Sequence, residues 1–203
     1  MSMRLCARRK CVYAFLLGVF VCSQSASASD KDGKEGKSLI SENTVSVSYG
    51  RNDQFQWNEH KKLSWDDFRG AVNAVNDESA AATHCGIGFR TNTTVPGSKP
   101  EIVVYNTFYA KKSWVRADAK MPSILDHEQG HFDLCEIYTR KLKNRMNSFD
   151  FNVPDVKQAL MSIYSEINNE YESRQQAYEE ETTHGTNIPQ QKKWQDMMIH
   201  ELM

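Results

Sequence analysis

Ser123 to Met146, SILDHEQGHFDLCEIYTRKLKNRM, runs for 24 residues with no proline and a single interior glycine, Gly130. So long a stretch without a breaker reads as one helix, and Pro122 just ahead of it suits a first turn, where its missing N–H costs nothing. NSFDFNVPD then makes a turn. From about Asp155 to Glu181 a second helix is expected, with Val156, Leu160, Ile163, Ile167, Tyr171 and Tyr178 recurring at three- and four-residue steps as one apolar stripe. Two such helices joined by a short turn must lie antiparallel and bury their stripes. TTHGTNIPQ ends the second helix, and QQKKWQDMMIHELM forms a last amphipathic one that packs through Trp194, Met198 and Leu202.

Before residue 120 the signals are those of strands. TVSVSYG alternates apolar and polar residues, AAATHCGIGFRT and EIVVYNTFYA are two further runs, and the NTTVPGSKP between them suits a long hairpin loop. KKSWVRADAK reads as a short fourth strand, with Ser113 to Val115 as an edge to which an extended peptide can add. In LSWDDFRG, Ser64 and Asp67 have the form of a capping box on a short helical turn whose core anchors are Trp65 and Phe68. The expected fold class is α+β: a small antiparallel or mixed sheet, then a long helical hairpin, then a C-terminal helix.

The first 28 residues stand apart. Arg4, Arg8, Arg9 and Lys10 precede the apolar run CVYAFLLGVFVC, and Ala26-Ser27-Ala28 closes the segment as a cleavage site, the plan of a secretory signal peptide. The run is short for a bilayer span, which needs about twenty residues. A retained signal anchor is the alternative. A lipoprotein signal ending at Cys22 fits less well, because Val21 is bulkier than the small residue such processing takes. Residues 29–43 read as a flexible leader and 44–203 as one domain, secreted or periplasmic, with no stable membrane insertion after cleavage.

Cleavage removes four of 25 basic groups and none of 26 acidic ones, so the mature chain is acidic and nucleic acid is not an expected partner. Two cysteines remain, Cys85 and Cys135. In an oxidising compartment they are expected to form a disulfide tying the sheet to the first long helix, the alternative being two buried free thiols.

Within that helix HEQGH places His127 and His131 four residues apart, hence on one face and one turn apart. Their imidazoles can converge on one metal ion at roughly 2.0–2.1 Å. Glu128, one step on from His127, sits beside the ion, where it can take a proton from a metal-bound water. This is the H-E-x-x-H arrangement of a zinc hydrolase, and it makes Zn2+ the expected cofactor.

A catalytic zinc takes three protein ligands and leaves a fourth position for water. Glu136 is weakly placed, since a step of five turns it away from the face of His131. Glu170 lies level with His131 if the hairpin pivots near residue 150, and NEYES, from Asn169 to Ser173, resembles the N-E-x-x-S element that supplies the glutamate ligand of thermolysin-like enzymes, with Arg174 where those enzymes carry an aspartate. His184, beyond the second helix in ETTHGTN, competes as ligand, or serves as the group that stabilises the oxyanion and passes protons. Glu170 as ligand and His184 as helper is the favoured assignment.

LSWDDFRG, KKSWV, LDHEQGHFDLCEIYTRKL and YEEETTHGTNIPQQKKW together resemble a bacterial family described as predicted secreted zinc-dependent proteases, domain of unknown function 922. The resemblance spans about residues 60 to 195. It implies a zincin-like metallopeptidase acting on protein or peptide substrates. Two other functions remain open: a zinc hydrolase of cell-wall peptides or amides, and a non-catalytic zinc-containing envelope binding protein.

Overall fold

The computed structural model describes residues 53–72, 79–92 and 98–203, so the signal, the leader and the strand expected in TVSVSYG lie outside the described residues. The described chain is an α+β fold with strands β1 (Gln54–Phe55), β2 (Ala81–Ala82), β3 (Cys85–Asn92), β4 (Glu101–Tyr109) and β5 (Trp114–Val115), then helices α1 (Pro122–Asn147), α2 (Val156–Thr182) and α3 (Ile188–Leu202). No helix among the described residues is long and apolar enough to cross a membrane.

β3 and β4 are antiparallel along the full length of β3, from Cys85 opposite Phe108 to Asn92 opposite Glu101, and β1 pairs with the far edge of β4. Phe108 of β4 is fully buried, with its ring 4.9 Å from Phe55, 5.6 Å from Phe68 and 5.3 Å from Phe132 of α1. Burying one such ring contributes about 1.5–3 kcal/mol. The cluster also fixes α1 against the sheet at the residue that follows His131. Phe68 gets there through the short 3-10 turn Trp65–Asp67, where the Asp67 carboxylate accepts from the Ser64 N–H at 2.9 Å, as the capping pattern requires.

β5 is not an open edge. It pairs with β2, the Ser113 carbonyl beside it accepts from the Gly70 N–H at 2.7 Å, and Ser113, Trp114 and Val115 are all buried. An apolar Trp-Val pair beside a serine whose hydroxyl donates to the Tyr109 carbonyl is better stabilised inside than as a docking strip for peptide.

The cysteines are both free. The Cys85 Sγ lies 3.3 Å from the Tyr171 hydroxyl and 3.6 Å from the His131 carbonyl oxygen, and the two thiols share a hydrogen bond that holds Cys85 below its ordinary pKa. The sheet is therefore joined to α1 by packing and thiol hydrogen bonds in place of the expected disulfide.

Gly130, central in HEQGH, allows α1 and α2 to approach closely. A Cβ there would stand 2.2 Å from the Tyr178 hydroxyl oxygen. Gly130→Ala would stabilise an exposed helix by about 1 kcal/mol. Here it must displace Tyr178, and urea denaturation should show a loss of about 1–3 kcal/mol instead.

Candidate metal centre

Nine consecutive residues of α1, His127 to Cys135, are buried, and five of them are His, Glu, Gln, His and Asp. A helix buried on all sides is ordinarily apolar, so each of these polar groups must find a partner. On one side Asp133 accepts from the Trp57 indole N–H and the Gln129 amide, both at 2.7 Å, and the Gln129 Oε1 accepts from the Leu63 N–H at 2.7 Å. That side ties down the segment between β1 and β2.

On the other side His127 and His131 meet α2 and α3. Their Nε2 atoms are 3.2 Å apart, and Oε2 of Glu179 lies 3.0 Å from the first and 3.1 Å from the second. His127, His131 and Glu179 form a group able to hold a metal ion.

The outer partners of the rings define the chemistry of this meeting point. The Gln175 Nε2 donates to the His131 carbonyl at 2.8 Å, which turns its Oε1 toward the His131 Nδ1. The Gln191 Nε2 donates to the Tyr178 hydroxyl at 2.7 Å, and that hydroxyl in turn donates to the His127 carbonyl at 3.0 Å. The Gln191 Oε1 thus faces the His127 Nδ1, at 3.1 Å. Each Nδ1 therefore carries a hydrogen and donates it to an amide oxygen, and each ring, when neutral, turns the lone pair of Nε2 inward.

Two nitrogen lone pairs and a carboxylate oxygen at hydrogen-bond distance repel one another unless a cation sits among them. A proton on His131 serves this purpose. Burial lowers the pKa of that ring, but the hydrogen bond and charge of Glu179, with the charge of Glu128, overcome burial and hold it at about 9. Burial likewise raises Glu179, and the two histidines reverse this and hold it far below the ordinary carboxylate range.

A pH dependence follows. His131, raised above its ordinary 6.5, contributes stability fully below about 6.5 and loses it as pH rises through about 9. Glu179, depressed, contributes stability above its ordinary 4.5 and loses it in acid. Chelator-treated protein should melt at falling temperature between about pH 6.5 and 9.5, and a bound metal should flatten that decline. An equal slope with and without metal would refute the coupling.

Glu128 is 4% exposed, and its Oε2 has no hydrogen-bond partner among the described residues. An orphaned carboxylate oxygen costs free energy unless something uses it. Together with two inward lone pairs and an anionic oxygen, it fits a site for a divalent cation and a water.

Glu170 does not join the histidines. Its carboxylate pairs with Lys141, and Arg145 pairs with Glu166 one turn nearer the end of α1. This register sets His131 level with Gln175 and Glu179, because the hairpin pivots beyond residue 150 and α2 passes α1 about two turns further along than a symmetric turn would place it. Glu136 is also elsewhere, bonded to Asn106 and Arg140. His184 does reach the centre, but through Glu179, with its Nδ1 2.5 Å from Oε1 of that carboxylate.

The segment that carries His184 is contorted. Thr183, His184 and Gly185 have φ of 50°, 55° and 75°. A left-handed conformation costs roughly 1–2 kcal/mol at each non-glycine position. Gly185 is required for a second reason, since a Cβ there would stand 2.8 Å from the His127 Cγ. The backbone of the hook thus lies directly against the first imidazole.

Residues 89–185 match the family described as bacterial protein of unknown function, DUF922. The match supports the family resemblance read from the sequence. The DUF922 region contains both histidines, Glu179 and the left-handed hook, whereas Gln191, which orients His127, falls beyond it. No curated protein and no solved structure matches the chain.

Proposed function

We propose that the protein is an exported zinc-dependent peptidase in which His127, His131 and Glu179 hold the metal and Glu128 is the general base. The observation that carries this reading is the convergence of two Nε2 lone pairs and the Glu179 Oε2, with the Nδ1 hydrogens committed to Gln175 and Gln191. This is a two-histidine, one-glutamate donor set of the kind that catalytic zinc uses.

His127, His131 and Glu179 would hold a zinc ion there, which would supply Lewis-acid chemistry toward a water and the scissile carbonyl. Gln175 and Gln191 fix the tautomer and tilt of the two imidazoles. Glu128, buried and with Oε2 unpartnered, accepts the proton of the attacking water and returns it to the leaving amine as the C–N bond breaks.

The test is elemental analysis of purified residues 29–203 after dialysis against a mild chelator, with a casein assay on the same sample. About one zinc per chain and a proteolysis that strong chelation removes and zinc restores support the proposal. One zinc without casein cleavage, but with release of peptide from peptidoglycan fragments, would move the substrate to the cell wall. No metal would overturn the site.

A further inference from the structure

A carboxylate can offer a cation one oxygen or both, and Glu179 has its two oxygens committed differently. Oε2 faces the two Nε2 atoms, at 3.0 and 3.1 Å, while Oε1 faces away from them and lies 2.5 Å from the His184 Nδ1. A carboxylate oxygen in that position can only accept, so the Nδ1 carries the hydrogen. We propose that His184 is a positioning residue that holds Oε1 of Glu179 by this hydrogen bond, so that Glu179 gives the metal a single oxygen and a coordination position stays open for an exchangeable ligand. The inference rests on the metal site proposed above.

The backbone argues that the contact is built. The His184 side chain is 62% exposed, so burial does not hold it in place. Two successive non-glycine residues, Thr183 and His184, nonetheless adopt positive φ, with Gly185 packed on the His127 ring behind them. Local hydrogen bonds retain the hook: the His184 N–H donates to the Glu179 carbonyl at 3.0 Å, the Asn187 N–H to the Thr182 carbonyl at 2.8 Å and the Gly185 N–H to the Thr182 hydroxyl at 3.2 Å. Strain of this type persists where the surroundings over-determine it, and it clusters at functional sites. The outcome is one imidazole N–H aimed at the one ligand oxygen that faces away from the histidines. Three ligands giving one atom each leave a fourth position, and a carboxylate that turned to give both oxygens would fill it.

Cobalt(II) reports an exchangeable position directly, because its visible bands shift when azide replaces a water on the metal. Wild type, His184→Ala and His184→Asn would be loaded with Co2+, assayed for metal per chain and titrated with azide. Asn tolerates the left-handed backbone and restores an N–H donor. Wild type and His184→Asn should show the strong bands and an azide-induced shift. His184→Ala should keep about one Co2+ per chain and the strong bands of a four-coordinate ion, but fail to respond to azide, because the second Glu179 oxygen fills the position that azide would take. A wild-type azide response in His184→Ala would overturn the inference, as would loss of the metal itself, which would make His184 necessary for binding rather than for the open position. A wild type that binds no Co2+ would instead overturn the underlying site.

Discussion

Glu179→Gln should lose its metal while Glu170→Gln keeps about one zinc per chain. The Glu179 Oε2 is the only anionic atom among the three that converge, and the substitution replaces it with a neutral amide of the same shape. It also weakens the acceptor that the His184 Nδ1 holds. Losing an outer partner of a metal ligand typically costs 10- to 100-fold in affinity, so losing the charged ligand itself should cost at least about 100-fold. Glu170 pairs with Lys141 on the surface of the helical hairpin, and its replacement should change stability by less than about 1 kcal/mol. Competition titrations against a chromogenic chelator would measure both. Equal affinities in the two variants would mean that Glu179 is not the third ligand.

Glu128→Gln should abolish proteolysis and leave the metal in place. Glu128 is absent from the converging group, so the donor set survives. What disappears is the acceptor for the proton of the attacking water, a step whose catalysis is worth about 10²–10⁴-fold. The mutant should therefore bind zinc and a hydroxamate as the wild type does, with turnover of a peptide substrate reduced by at least about 100-fold. Undiminished turnover would remove Glu128 from the mechanism.

Much of this was legible in the chain. The unbroken run after Pro122 gave α1 to within a residue or two, and HEQGH brought two members of the converging group together because a step of four on a helix is a fixed geometry. The third member of the group, Glu179, was hidden because it depends on how two helices slide past each other, which the turn at 148–155 decides. The α2 sequence nevertheless carries a marker. Gln175 occupies a buried place between Leu160, Ile167 and Tyr171 on one side and Tyr178 and Thr182 on the other. An amide in an apolar stripe needs a polar partner across the interface. It marks the level at which α2 passes His131, and Glu179 stands one turn further along the same face. The disulfide expected from an even pair of cysteines in an oxidising compartment did not follow from their proximity. The edge role of Ser113–Val115 failed because strand pairing partners so far apart in sequence are not encoded locally.

His127 takes its outer hydrogen-bond partner from α3, at a residue 64 positions away in the chain. The sheet and the helical hairpin can therefore assemble without completing the centre. Until α3 docks, nothing holds the His127 ring in the tautomer that turns Nε2 inward. In the proposed peptidase, hydrolysis would thus wait on the docking of α3, and activity would be coupled to tertiary assembly.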